Sequence, residues 1–323
     1  MRVDGLRAAM LTSAAVRLAA AAVPLVAVCA AVGAAVAGGG GAVAGAVVAG
    51  LMLAVVGVYC DRLALSAMLA RPLSEVEHPE LYRLVRELSK AGRLPVPRLF
   101  LSPAQQPNSF AVGRSPRTAA ICCTEGLLAA LDEAELRGVL GHELAHVSGR
   151  DILPATVSAG LATVITFPAG ITRFLPAPVG APAAPGPAEA RGGEARRGEA
   201  RGGEAVREPA AAGVGALEAW LLLVFGPVAA LVIRLSVTRE REYRADAAGA
   251  LLSGDPVALS SALRKIDVGT AELALAADAR LTSVGHLMVA SPFVAEGFAR
   301  LFRTHPPTGE RVRRLEALAG YRR

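Results

Sequence analysis

The stretch from Leu18 to Cys60 contains no charged residue, and this restricts the fold more than any other feature of the sequence. A helix needs about 20 apolar residues to cross a bilayer, so the stretch is long enough for two crossings. Four consecutive glycines, Gly38 to Gly41, lie near its middle and indicate the turn of a helical hairpin. We therefore expect residues 1–71 to form a membrane anchor with two transmembrane helices.

Arginines flank this stretch on both sides and are absent from it. Arg2, Arg7 and Arg17 precede it, and Arg62 and Arg71 follow it. Because the cytoplasmic segments of membrane proteins are enriched in Lys and Arg, this pattern predicts that both ends of the hairpin face the cytoplasm. A cleaved signal peptide is the alternative, since small residues abound near residues 30–37, but a second apolar segment follows at once.

The composition is typical of a membrane protein and argues against nucleic-acid binding. Hydrophobic residues make up 53% of the chain, whereas aromatic residues make up 4%. Much of the basic charge lies beside apolar segments, and no basic stripe is interleaved with aromatic residues that could stack on bases. We therefore expect the lipid bilayer, and not nucleic acid, as a partner of this chain.

Two further apolar stretches, residues 152–172 and 214–233, are candidates for a third and a fourth membrane helix. The alternative is that both are apolar helices buried in a soluble core, since prolines interrupt them. Between them, residues 177–213 are rich in Pro, Ala and Gly and then repeat Arg-Gly-Gly-Glu-Ala with small variations. Because this segment has no apolar anchors, we expect a disordered loop without a functional site.

These patterns predict a mainly α-helical membrane protein with about four transmembrane helices and a cytoplasmic α+β domain that contains a small β element. The cytoplasmic domain is divided in the sequence. Residues 72–151 form its first part, residues 152–236 carry the third and fourth membrane helices with their loop, and residues 237–323 form its second part. We expect the two cytoplasmic parts to build one site.

The motif H-E-x-x-H is formed by His142, Glu143 and His146 on a predicted helix. Asp132 is a suitable N-cap with Glu135 three residues later, and apolar residues follow at helical spacing. Residues four positions apart lie on one helix face, so both imidazoles can bind one tetrahedral zinc ion. Glu143 is then placed to accept a proton from water and not to bind the metal.

A third metal ligand must come from elsewhere in the chain. The extended motif H-E-x-x-H-x-x-G-x-x-H is excluded, because Ile152 occupies its last position. Glu242 and Asp246 lie four positions apart in a charged segment and share one face if that segment is helical. One carboxylate could bind zinc and the other could accept a ring N–H from a ligand histidine. A solvated face of alternating charge is the alternative.

Strand-like residues precede the motif helix. Turn residues of the stretch 105–117 separate two strand-like pieces, the second being Ala119 to Thr124, and this pattern predicts a hairpin. An exposed strand beside the metal could bind a peptide by strand addition, which makes Asn108, Phe110 and Ala111 candidate substrate-binding residues. A purely structural hairpin is equally compatible with the sequence.

Several motifs in this order resemble those of the HtpX-type membrane zinc metalloproteases of bacteria, relatives of the CAAX prenyl endopeptidases. The resemblance covers nearly the whole chain. The motifs are Asn108-Ser-Phe-Ala-Val-Gly, Thr124-Glu-Gly-Leu-Leu, His142-Glu-Leu-Ala-His146, Arg239-Glu-Arg-Glu-Tyr-Arg-Ala-Asp246, His286-Leu-Met-Val and Thr304-His-Pro-Pro. Ser109 and Val112 replace the more usual Ala and Thr, and we expect neither change to affect the chemistry.

The resemblance implies a gluzincin-like zinc metalloendopeptidase with one zinc ion per chain. His142, His146 and Glu242 would be the ligands, Glu143 the general base and Asp246 a partner of a ligand histidine. The family implies a multi-pass protein of the bacterial cytoplasmic membrane whose site faces the cytoplasm. It also implies a role in protein quality control under stress, with misfolded or damaged membrane proteins as substrates. The oligomeric state is not predicted.

Two residues near the C-terminus are further catalytic candidates. His305 or Arg311 could stabilise the oxyanion that forms when a peptide carbonyl is attacked. Alternatively, Pro306 and Pro307 indicate the start of a helix, and His305 only caps it. His78 and His286 are expected to be structural.

Rival functions differ from a quality-control protease in specific features. A prenyl-peptide endopeptidase would be expected to have more than about four membrane helices. A catalytically silent scaffold with a structural zinc would not need Glu143 beside the metal. An intramembrane protease is disfavoured, because charged residues lie close to the motif on both sides, Asp132 and Arg150 among them.

Overall fold

The computed structural model describes residues 3–149, 152–170, 226–234, 238–275, 279–293 and 305–320. The predicted loop at 177–213 lies outside these residues. The helices in chain order are α1 (Val3–Ala67), α2 (Pro79–Ala91), α3 (Glu125–Ala130), α4 (Glu133–Ser148), α5 (Ile152–Gly170), α6 (226–234), α7 (Arg239–Ser253), α8 (Pro256–Glu272), α9 (Ala279–Val284) and α10 (Thr308–Leu318). The strands are β1 (Arg71–Pro72), β2 (Arg98–Ser102), β3 (Ser109–Val112) and β4 (Ala120–Thr124).

Helix α1 is a hairpin of two helical arms. The backbone leaves helical geometry at Ala37 and at Gly38, whose φ of 61° belongs to the left-handed region that glycine tolerates. A Cβ atom placed on Gly33 would lie 2.0 Å from the carbonyl oxygen of Gly41, and one on Gly45 would lie 2.1 Å from that of Cys29. Such contacts require the chain to double back, so the glycines allow the two arms to lie side by side.

The surface of α1 is apolar and exposed. Among the described residues one helical stretch, Leu25–Ala67, is long and apolar enough to cross a membrane by length and composition. Val36 is 82% exposed and Val43 66% exposed. The large apolar side chains exposed on α1 are Val23, Val28, Val32, Val36, Val43, Val47, Val48, Leu51, Val55, Val58 and Tyr59. Exposed apolar surface of this extent is typical of contact with lipid or a partner protein.

Helices α5 and α6 pack against α1 in one apolar cluster. Leu161 and Ile165 of α5 are buried there with Val56 of α1 and with Val232 and Ile233 of α6. A Cβ atom on Gly160 would lie 2.9 Å from the Val56 side chain, so α5 and α1 approach closely at this level. The described part of the predicted fourth span, residues 226–233, is helical, whereas residues 214–225 lie outside the described part of the chain.

The small sheet has the strand order β1-β2-β4-β3. The predicted hairpin is confirmed, since β3 pairs antiparallel with β4 and Ser109 faces Cys123. Strand β2 adds parallel to β4, with Phe100 opposite Cys122, which sequence patterning did not indicate. Strand β3 is therefore an edge strand, and it lies against α4, the helix that carries the H-E-x-x-H motif, and against α5.

The main core lies between the sheet and the helices α2, α4, α8 and α10. Helix α2 is amphipathic, and Leu84 and Leu88 on its inner face are fully buried. Leu140 and Leu144 of α4 and Leu259 of α8 meet them in the same core. Asp255 caps α8 by accepting hydrogen bonds from the amides of Val257 and Ala258, and Pro256 is the first residue of the helix. Helix α4 is thus enclosed, and this burial gives the metal motif a rigid support.

Candidate metal centre

Helix α4 begins with a complete capping box. The Asp132 carboxylate accepts a hydrogen bond from the Glu135 amide, and the Glu135 carboxylate accepts one from the Asp132 amide. The predicted helix start is therefore confirmed. Lys265 of α8 donates a 2.6 Å hydrogen bond to Glu135, which ties this end of α4 to its neighbour.

The two motif histidines converge one turn apart on α4. The Nε2 atoms of His142 and His146 lie 3.2 Å apart, and the His142 side chain is buried. Two nitrogens bound to one tetrahedral zinc at about 2.05 Å would be separated by about 3.3 Å. The observed separation therefore fits a shared metal ion.

Helix α7 supplies the third group. Glu242 Oε1 lies 3.7 Å from His146 Nε2, and ligand atoms of His142, His146 and Glu242 all lie within 4.8 Å of one another. Two nitrogens and one carboxylate oxygen are the donors of catalytic zinc sites that keep a position open for water or substrate. The three residues can hold a metal ion, and the open position would face the cleft.

Burial and charge set the ionisation of these groups. Burial lowers the pKa of His146 to about 3, so the imidazole is neutral as a ligand must be. Burial alone would raise the pKa of Glu242, but the hydrogen bond from His305 and the nearby cationic groups hold it well below its ordinary value. Glu242 is therefore an ionised carboxylate in a buried position.

Asp246 connects the candidate ligand His142 to Arg311. Its Oδ1 atom lies 3.0 Å from His142 Nδ1, on the ring side opposite the metal-facing nitrogen. Arg311 donates two hydrogen bonds of 2.8 and 2.7 Å to the same carboxylate and a third of 2.6 Å to the carbonyl of Val289. Arg311 is 1% exposed, so its charge and that of Asp246 are buried together. This chain of contacts fixes the orientation of the His142 ring.

The structure thus brings Asp246 to a candidate ligand histidine and Arg311 to Asp246. The guanidinium of Arg311 is committed to these partners, which makes it a positioning residue in this arrangement. Burial favours the neutral acid, but Arg311 and His142 hold the pKa of Asp246 below its ordinary value. For His142, burial lowers the pKa, and contact with Asp246 outweighs this effect and raises it.

His305 lies beside Glu242 and not at the start of α10. Its Nδ1 atom is 3.2 Å from Glu242 Oε2, so it engages the carboxylate oxygen other than the one nearest His146. The N-cap of α10 is Pro307, and no side-chain cap hydrogen bond is formed there. The capping alternative for His305 is therefore wrong, because the imidazole is committed to a metal-ligand candidate.

Glu143 is buried next to the ligand group. Burial raises the pKa of its carboxyl to about 7, against the lowering effects of His142 and Ser109. A carboxyl group with a pKa near neutrality can both accept and return a proton at physiological pH. Ser109 Oγ donates a 2.6 Å hydrogen bond to Glu143 Oε1. The expectation that Ser109 is remote from the chemistry is wrong, since alternation along β3 turns this side chain toward α4.

A cleft opens beside these groups. It is lined by residues of β3, α4, α5 and α7 and by the short helical turn Gly285–Leu287. Its lining residues are Ala111, Glu143, His146, Ile152, Ala155, Arg241, Glu242, His286 and Leu287. Ala111 therefore reaches the cleft, whereas Phe110 is buried on the opposite face of the sheet with Val112. Asn108 is also buried, and its amide donates to the carbonyl of Ala290.

Two histidines expected to be structural have different positions. His78 precedes α2 and makes no side-chain cap hydrogen bond. His286 lines the cleft, with Nε2 3.0 Å from Ser158 Oγ of α5. The role of His286 at the cleft was missed because its neighbours come from a helix far away in the sequence.

Two glycines that sequence reasoning passed over set the distance between α4 and α7. A Cβ atom on Gly249 would lie 2.6 Å from the amide nitrogen of His142, and one on Gly141 would lie 2.8 Å from the carbonyl oxygen of Gly249. The close crossing brings Glu242 and Asp246 to the histidines. A signal was present in the sequence, because Gly141 lies inside a helical pattern where glycine usually costs stability.

Comparisons with known proteins agree with this geometry. The model of peptidase family M48 matches residues 75–319. A protein named Protease HtpX homolog from Kineococcus radiotolerans is 50% identical over 261 residues, which cover 81% of this chain and 80% of that protein. Proteins of the same name are 43% identical in Paenarthrobacter aurescens, over 80% of this chain and 79% of that protein, and 37% identical in Ralstonia nicotianae, over 81% of each. The chain therefore belongs to peptidase family M48 and is an HtpX-type metalloprotease.

Proposed function

We propose that this chain is a membrane-anchored zinc endopeptidase that hydrolyses misfolded or damaged membrane proteins at the cytoplasmic face of a bacterial membrane. The observation that carries the proposal is the position of Glu143. It lies buried beside the His142, His146 and Glu242 group and lines the same cleft as His146 and Glu242. A structural metal site has no need of a carboxylate in this position, whereas hydrolysis requires a general base there.

The chain's own residues then divide the chemistry between them. His142, His146 and Glu242 would hold the ion, which when bound would supply a Lewis acid that polarises the scissile carbonyl and makes water more acidic. Glu143 accepts a proton from the attacking water and delivers it to the leaving amide nitrogen. Asp246 and His305 keep the His142 ring and the Glu242 carboxylate in place through their contacts.

The edge of β3 offers a backbone surface for substrate. The backbone carbonyl of Asn108 accepts a hydrogen bond from the Thr124 amide of β4. Because backbone groups along an antiparallel strand point alternately toward and away from the partner strand, those of Ser109 and Ala111 point away from β4. The Ser109 carbonyl accepts a hydrogen bond from Val289 on that side, and Ala111 lines the cleft. Pairing of an extended peptide with Ala111 would select substrates by unfolded backbone more than by side chain.

The position of the cleft favours substrates at a membrane surface. Ile152 and Ala155 line the cleft at the start of α5, and Gly160 of the same helix packs on Val56 and Cys60 of α1. About 1.5 Å per residue places residues 155 and 160 within about 8 Å of each other along the helix axis. Because the cleft lies close to the apolar helices, we expect substrates to be protein segments that emerge from the bilayer.

The test is degradation of an unfolded protein by detergent-purified, zinc-loaded enzyme. We expect Glu143→Gln to bind zinc and to lose at least about 100-fold in turnover, because general-base catalysis contributes about that factor or more. Glu240→Gln is the matched control, since Glu240 is an exposed carboxylate on α7 and should cut normally. Equal cleavage by Glu143→Gln would identify a contaminant or a different base, and zinc-loaded unmodified enzyme without activity would favour the scaffold alternative.

The orientation of the N-terminal helical hairpin requires a separate measurement. Single cysteines introduced at exposed positions of α1, such as Val36 and Val43, can be labelled in intact cells with a membrane-impermeant maleimide after replacement of the native cysteines. The proposal predicts labelling from outside near this turn and protection of a cysteine in α2. Labelling of α2 from outside would reverse the proposed orientation.

A further inference from the structure

We propose that Ser109 is a positioning residue for Glu143, which it holds by one carboxylate oxygen so that the other is directed to the attacking water. This inference rests on the proposed function, because it assigns a partner to the general base of that reaction.

The contact itself is short and fully enclosed. Ser109 Oγ donates to Glu143 Oε1 over 2.6 Å, with Ser109 0% and Glu143 1% exposed. A hydrogen bond to a charged acceptor is stronger than one between neutral groups, and removal of water from both partners strengthens it further. The hydroxyl can therefore restrict rotation of the Glu143 carboxylate about its terminal torsion.

The backbone amide and carbonyl of Ser109 are both hydrogen-bonded. Its amide donates to Asn108 Oδ1, and its carbonyl accepts a hydrogen bond from Val289. Within the sheet it pairs with Cys123 of β4. Because the backbone cannot shift without breaking these contacts, the direction of the Ser109 side chain is fixed by the strand.

The hydrogen bond distinguishes the two oxygens of Glu143. Oε1 accepts the hydrogen bond from the Ser109 hydroxyl and is oriented by it. Oε2 is then left to accept a proton from water and return it to the leaving nitrogen. Without the hydroxyl the carboxylate can rotate between orientations, and only some of them meet the water at hydrogen-bond distance. The expected consequence is a slower catalytic step with little change in substrate binding.

The same strand also links this effect to substrate. Ala111 lies two residues after Ser109 on the same face of β3 and lines the cleft. A peptide that pairs with the edge at Ala111 would hold the strand in register while Ser109 holds the base. Substrate placement and base orientation therefore depend on one rigid element.

The experiment compares Ser109→Ala, Ser109→Thr and the matched control Ser102→Ala. Ser102 is a second fully buried serine of the sheet, and its hydroxyl donates a 2.7 Å hydrogen bond to the carbonyl of Met68 instead of to a site residue. Each alanine variant loses one short buried hydrogen bond, and Ser102→Ala also loses a longer one of 3.4 Å from the Ala104 amide, so the structural cost of the control is at least as large. All variants are assayed as full-length, zinc-loaded enzyme, with zinc content measured on the same samples.

We expect Ser109→Ala to lower kcat by about 10- to 100-fold while KM stays within about 2-fold, the range typical when the partner of an active-site group is removed. Ser109→Thr keeps a hydroxyl and should recover most of kcat. Ser102→Ala should cut normally. Normal kcat in Ser109→Ala, or an equal loss in Ser102→Ala, would overturn the positioning role while the proposed function stands.

A second readout does not depend on activity. In metal-free protein, thermal unfolding midpoints are measured for Ser109→Ala, Glu143→Ala and the double variant. If the serine stabilises the fold through Glu143, its removal should cost less in the Glu143→Ala background, and additive losses would contradict the contact. Unmodified enzyme that binds zinc but never cuts would overturn the proposed function, and the positioning role with it.

Discussion

Gly249 of α7 lies so close to His142 of α4 that a Cβ atom on the glycine would be 2.6 Å from the His142 amide nitrogen and 2.7 Å from its Cα atom. The two helices therefore cross with no side chain between them at the level of a metal-ligand candidate. This crossing brings Glu242 and Asp246 to the histidines, because they lie about two turns and one turn before the glycine on α7. Ligand geometry thus depends on a residue that has no functional group.

Gly249→Ala should separate α4 from α7. The added methyl group would clash with the His142 backbone, which can shift only if the whole of α4 shifts. We therefore expect a loss of about 1–3 kcal/mol in the free energy of unfolding, the usual cost of an overpacked core. Zinc affinity should fall by about 10- to 100-fold as the ligands move apart. Chelator competition and thermal unfolding measure the two effects, and Gly309→Ala, where a methyl group meets nothing within 4 Å, is the control. Unchanged zinc affinity would contradict the role of this crossing.

Arg311→Met should be among the most damaging substitutions outside the ligands. It leaves the Asp246 carboxylate buried without its cation, and breaking a buried pair costs about 3–5 kcal/mol. The orientation of His142 is lost at the same time, so weaker zinc binding is expected. Arg313→Met is the control, because the Arg313 side chain is 76% exposed and pairs with Glu310 at the surface. Equal stability of the two variants, compared by thermal unfolding, would contradict this account.

His305→Ala should reduce zinc affinity by about 10- to 100-fold, because the imidazole holds Glu242 Oε2. At saturating zinc, most of the turnover should return. The control is His78→Ala, which removes a histidine at the start of α2. If zinc affinity were unchanged while kcat fell, the imidazole would act on the reaction itself and the oxyanion role would be favoured instead.

His286 should make the metal-free protein less stable as the pH falls. Burial lowers the pKa of His286 to about 3 from an ordinary 6.5. Between these two pH values His286 is therefore protonated in the unfolded chain and neutral in the folded chain. Its contribution is complete above pH 6.5 and is lost toward pH 3, with a slope approaching about 1.4 kcal/mol per pH unit. His286→Gln should remove this slope from the difference between the two unfolding curves. Parallel pH dependence of the two proteins would show that His286 titrates normally.

Local sequence patterns predicted the elements that carry the candidate metal ligands and Glu143. The capping box of Asp132 and Glu135, the H-E-x-x-H spacing and the Asp-Pro start of α8 depend on contacts within one turn of helix, so their geometry follows from the sequence. The hairpin of β3 and β4 follows from alternation and turn residues in the same way. The bend of α1 at Gly38 agrees with the glycine run that predicted it.

Tertiary structure decided which distant side chains meet. The sequence offered Glu242 and Asp246 as a pair, and only the crossing of α4 over α7 set Glu242 3.7 Å from His146 and Asp246 3.0 Å from His142. Arg311 belongs to this network because α10 packs against α7, and Ser109 reaches Glu143 because β3 lies at the edge facing α4. Such contacts join residues far apart in the chain, and their distances depend on how whole helices and strands pack. Residue spacing in the sequence therefore identified the candidate metal site. The packing of helices and strands decided which distant residues hold its side chains in place.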